Sequence, residues 1–79
     1  MNKLAVISII VENGEMVEKI NALLHENASM ILGRMGLPCR DRNLSVISVA
    51  MDAPEETINA LCEAVGALPG VRTKSIVAA

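Results

Sequence analysis

The sequence predicts a ferredoxin-like α+β sandwich, a βαββαβ chain whose four-stranded antiparallel sheet carries two helices on one face. Three observations predict it. Two short strings recur in the same order: Val6-Ile7-Ser8 then Ile20-Asn21-Ala22-Leu23, and Val46-Ile47-Ser48 then Ile58-Asn59-Ala60-Leu61, at offsets of forty and thirty-eight residues. Each copy runs from a β-branched stretch into one with helical spacing, so one strand-then-helix unit is used twice. The runs Lys3 to Val11 and Leu44 to Met51 carry aliphatic residues on both parities, the pattern of strands covered on two faces and hence central in a sheet.

The first strand spans Lys3 to Val11, and Glu12-Asn13-Gly14 breaks it, with Asn13 placed to cap a helix from Gly14 to Glu26. That helix buries Val17, Ile20, Leu24 and Ala28 and leaves Glu15, Glu18, Lys19, His25 and Glu26 wet. A second strand, Ser29 to Leu37, frays into a bend at Gly33-Arg34-Met35-Gly36, and the polar stretch Pro38 to Asn43 forms a hairpin tip. After the third strand, Asp52 is expected as N-cap of the second helix, with Pro54 in its first turn and Glu55 completing a capping box. This helix buries Ile58, Leu61, Cys62, Val65 and Leu68 and stops at Leu68-Pro69-Gly70. The last strand, Val71 to Ala78, alternates and sets Arg72 and Lys74 on its exposed side, as an edge strand should. Right-handed crossovers then place the first and third strands side by side.

A chain of 79 residues is one small domain over 1–79, and at this size only about 60% of the unfolded surface is hidden on folding. Yet 52% of its residues are apolar, none of them aromatic, and the face of the sheet without helices must carry several aliphatics. That face is either Leu4, Val6, Ile10, Leu44 and Val46 or the opposite parity. Burying about five such side chains at roughly 1.5–3 kcal/mol each rivals the stability of a small domain. A homo-oligomer, dimer or tetramer, covering this face or the sheet edge is the expectation.

The net charge of −2, the absence of a basic cluster and the lack of aromatic stacking platforms argue against direct nucleic-acid binding. No apolar run reaches the ~20 residues of a membrane span, and no signal-peptide layout is present, so a cytoplasmic protein is expected. Cys39 and Cys62 form no close-spaced pair and read as reduced thiols, the first in a polar turn and the second in core packing. With one histidine, no close-spaced ligands and no activated nucleophile beside a base, the chain offers no catalytic set, no metal set and no cofactor motif. Two places remain for a ligand. The turn Asn13-Gly14 brings helix N–H donors to the end of a central strand, and Arg34 stands between two glycines as a countercharge. Each has an ordinary alternative: any helix start has such donors, and a β-bulge with a solvated arginine explains the second.

Ile31-Leu32-Gly33-Arg34-Met35-Gly36-Leu37-Pro38, with Val46-Ile47-Ser48-Val49, Asp52-Ala53-Pro54 and Leu68-Pro69-Gly70-Val71, resembles the small family of iron-only hydrogenase system regulators over nearly the whole chain. The resemblance implies a fold similar to the C-terminal domain of the nickel-responsive repressor and, more distantly, to ACT domains, which bind small effectors. It implies a bacterial, non-enzymatic regulatory module that binds a small effector or a protein partner, linked to transcription through another protein that touches DNA. The nickel repressor's histidine cluster is not matched by the single His25, and of the ACT signature only Asn13-Gly14 is matched. An inter-subunit metal sensor and a ligand-free interaction module stand as the two alternative readings.

Overall fold

The computed structural model describes residues 1–78. Its elements follow as β1 (Asn2–Val11), α1 (Val17–Glu26), β2 (Ile31–Cys39), β3 (Leu44–Pro54), α2 (Glu55–Gly66) and β4 (Val71–Val77). The strands form one antiparallel sheet in the order β2-β3-β1-β4, with β1 and β3 in the middle as expected. This is the ferredoxin-like α+β arrangement.

Strand alternation decides which parity the helices cover. Ile7, Ile9 and Val11 of β1 and Ile47, Val49, Met51 and Ala53 of β3 pack against Ile20 and Leu24 of α1 and Ile58, Leu61 and Val65 of α2. Ile7, Ile9, Ile20, Val49, Ile58 and Val65 are wholly excluded from solvent. At roughly 1.5–3 kcal/mol per such side chain, this single layer holds the two helices to the sheet. No polar side chain is buried in it. The forty-residue repeat is visible in the ladder itself: Ser8 pairs with Ser48, so the pseudo-twofold axis passes between these two serines.

Several boundaries differ from expectation. Residues Gly14–Met16 form a 3₁₀ turn before α1, and Ala28–Met30 another before β2. Ala28 is exposed. The hairpin between β2 and β3 is closed by Arg40–Arg42, with Asn43 in the left-handed region at φ 55°. β2 does not fray at its glycines but continues through Pro38 to Cys39. The capping box at Asp52 is not formed. The β1–β3 ladder extends to Asn2 and Pro54, which keeps Asp52 in the strand opposite Leu4. Helix α2 instead starts at Glu55 behind an extended Pro54 with no side-chain cap, and Glu55 accepts a 2.9 Å hydrogen bond from Lys3.

The turn from α2 into β4 is fixed by close approach. Gly70 has φ +71°, and a Cβ there would lie 2.9 Å from that of Asn13. The Glu12 N–H donates to the Gly70 carbonyl at 2.7 Å, tying the β1–α1 turn to the start of β4. Thr73 Oγ1 donates to the Cys62 carbonyl at 3.0 Å and fastens α2 to that edge.

Candidate functional site

Two surface regions carry the candidate contacts. The larger is the helix-free face of the sheet. Register sets Leu4, Val6, Ser8 and Ile10 of β1 beside Asp52, Ala50, Ser48 and Val46 of β3, with Arg72, Lys74 and Ile76 of β4 outside them. On the other flank Met35 and Leu37 of β2 stand opposite Ser48 and Val46. Of the two parities the sequence left open, the one carrying Leu4, Val6, Ile10 and Val46 faces outward. Leu4, Val6, Ile10, Leu32, Met35, Leu37, Val46 and Ile76 are between 41% and 74% exposed. Leu4, Val6, Leu32, Ala50 and Ile76 line a hollow of about 340 Å³ at one end of this face. Charge is confined to its margins, at Asp52, Arg72 and Lys74.

The smaller region lies on the other side of β2, against α1. Arg34 sits opposite Val49, on the helix side of the sheet, and its guanidinium donates a 2.6 Å hydrogen bond to Asn21 Oδ1 of α1. Beside it a cleft of about 200 Å³ is lined by Val17, Asn21, Arg34, Gly36, Pro38, Ser45 and Ile47, among others. Gly36 lies opposite Ile47 and supplies no side chain, and a Cβ there would meet nothing within 4 Å.

The expected site residues do not converge. Asn13 Oδ1 accepts from the Glu15 N–H at 3.1 Å and the Asn13 carbonyl accepts from the Met16 N–H at 3.0 Å, so two donors of this turn are satisfied within it. Gly14 borders a separate small hollow with Pro38, Cys39 and Arg40, which shares only Pro38 and Ser45 with the Arg34 cleft. Asn21 was missed as the partner of Arg34, and Ser45 as a residue lining the same cleft. The signal for Asn21 lay in the helix period, since Ile20 and Leu24 fix the core stripe and leave Asn21 on its shoulder. Among the described residues no three His, Cys, Asp or Glu side chains come together, and both cysteines are free. No helix is long and apolar enough to cross a membrane.

A family model described as "TM1266-like: Iron-only hydrogenase system regulator, putative" matches residues 3–75. The chain belongs to this family. No curated protein matches it. The solved structure of the TM1266 protein from Thermotoga maritima is 29% identical over the whole of both chains, with a TM-score of 0.94. More distant likenesses show the ferredoxin-like fold alone. A formyltetrahydrofolate deformylase of Pseudomonas putida KT2440 is 13% identical with a TM-score of 0.66, over 91% of this chain and 28% of that one. CPII, a nitrogen regulatory PII-like protein of Thiomonas intermedia K12, is 19% identical with a TM-score of 0.58, over 99% and 95% of the two chains. The family description places the chain among regulators.

Proposed function

We propose that this TM1266-like chain is a non-enzymatic regulatory module that self-associates through the open sheet face and binds a small effector or a protein partner. The observation that carries the reading is the aliphatic face. Eight aliphatic side chains on it are between 41% and 74% exposed, an open apolar patch of the kind that marks an interaction surface.

The whole surface points the same way. The chain exposes 5259 Å². A folded monomer of 8.4 kDa is expected to expose only about 4,600 Å². The excess is about 650 Å². A second copy suits that face because one self-complementary patch closes an isologous pair, with Ser8 and Ser48 at its centre. Assembly on this face leaves the Arg34 cleft open, since the cleft faces the helices. Arg34 with Asn21 is the proposed effector contact, and the Asn13-Gly14 turn stands at a separate, adjoining hollow that shares Pro38 and Ser45 with that cleft.

Native mass spectrometry of protein purified without chelator tests the reading in one spectrum. An oligomer, bare or carrying a small organic mass, is expected. An oligomer retaining a metal ion would favour the inter-subunit metal sensor, and a folded monomer would overturn the role of the sheet face.

A further inference from the structure

The forty-residue repeat relates Arg34 to Lys74, yet the two residues lie on opposite faces of the sheet. Lys74 pairs with Ser8 and faces the open side. The repeat would therefore pair Arg34 with Ser48 and place it on the open side too. At the start of β2 the repeat is obeyed, since Ile31 pairs with Met51 as Val71 pairs with Val11. A register shift between Ile31 and Gly33 then advances the strand by one residue. A slip of one residue exchanges the faces of every side chain beyond it. The bulge at Leu32 thus turns Arg34 and Gly36 toward α1 and gives the open face Met35 and Leu37 instead.

What the bulge delivers is a cation into a small cleft built to receive a group that accepts hydrogen bonds. Lys3 and Arg72 each find a carboxylate, Glu55 and Glu12, but among the described residues none lies within ion-pair distance of Arg34. Its partner is a neutral amide. Arginine has no acceptor, so the Asn21 oxygen must face it, which leaves the amide NH₂ free to donate. The Ser45 hydroxyl lines the same cleft, so guanidinium, amide and hydroxyl all offer donors, while Val17, Pro38 and Ile47 supply an apolar wall. On its other flank Arg34 borders a hollow that contains Glu18 and His25. The cleft of about 200 Å³ is smaller than the ~300–1,000 Å³ of sites for drug-sized ligands.

We propose that this cleft binds a small monocarboxylate with a short aliphatic tail. The carboxylate is held by Arg34 and the Asn21 amide, and the tail lies in the space that Gly36 leaves against Ile47. A guanidinium matches a carboxylate in a two-point, charge-assisted contact that no neutral ligand repeats. The inference rests on the effector-binding part of the proposed function and not on the assembly of the sheet face.

The test is titration of ¹⁵N-labelled protein with 3-methylbutanoate, with 3-methylbutanamide as the uncharged control, following the side-chain signals of Arg34 and Asn21. Saturable shifts with the acid and none with the amide are expected. Arg34→Gln should weaken binding by about tenfold or more, the scale of a lost charged hydrogen bond. Gly36→Val suits a strand, keeps the arginine and fills the cleft, and it should abolish binding while the remaining spectrum stays that of the folded protein. No saturable shift with the acid, or shifts unchanged in Gly36→Val, would overturn the proposal, the latter by showing only diffuse attraction to an exposed cation. Sedimentation of the same samples reports assembly separately, so loss of the cleft and loss of the oligomer are distinguishable.

Discussion

Ile9 and Ile10 are neighbours in one strand, yet Ile9 is wholly buried and Ile10 is 41% exposed. The two faces of the sheet are made from the same residue types, and the difference lies only in what covers them. On one side α1 and α2 close over Ile7, Ile9, Val49 and Met51, and folding a single chain is enough. On the other, Val6, Ile10, Val46 and the β2 side chains form a layer of similar chemistry with no second layer of their own chain. Two-layer domains bury one face of a sheet. This one is composed as though both were to be buried.

Substituting the two isoleucines separates the faces. Ile9→Ala should cost about 2–5 kcal/mol in urea unfolding, because it opens a cavity in a packed layer. Ile10→Ala should cost far less in a dilute sample, and its effect on melting temperature should depend on protein concentration, as it does when burial is supplied by a second copy. Equal, concentration-independent losses at the two positions would break the comparison. Gly70→Ala should destabilise by about 1–3 kcal/mol, because it forces a side chain into the left-handed region and against Asn13. That loss arises at the sheet end and leaves the association constant unmoved. Lys3→Met should have the smallest effect. The Lys3–Glu55 pair is 41% and 51% exposed. Such a pair contributes about 0.2–1 kcal/mol at low salt and less as salt rises, measured by unfolding at two ionic strengths.

Most of the architecture was legible because two-sided aliphatic runs can only be central strands and the two helices follow with a clean period. The repeat made the central placing of β1 and β3 readable, and the ladder sets its two copies of one serine, Ser8 and Ser48, against each other. The failures have physical causes. Asp52-Ala53-Pro54-Glu55 has the letters of a capping box, but pairing with β1 holds Asp52 and Pro54 in the ladder, and long-range hydrogen bonds outweigh a local cap. The glycines of β2 looked like the irregular point, whereas the extra residue is Leu32, before them. A bulge is a property of the pairing of two strands, so neither strand's own sequence reveals it. For that reason Arg34 was recognised as a free cation while its face, its partner Asn21 and the cleft beside Gly36 were not.

The central claim is that the open face is closed by a second copy of this chain, and sedimentation equilibrium of the unmodified protein across the micromolar range tests it most directly, with Val6→Asp as the paired variant. Val6 lies on a central strand of the face, paired with Ala50 and Ile76, and makes no contribution to the helix-covered core. The account predicts an oligomer for the unmodified chain and a folded monomer for the variant. A folded monomer in both samples, or an oligomer indifferent to an aspartate at that position, would contradict it.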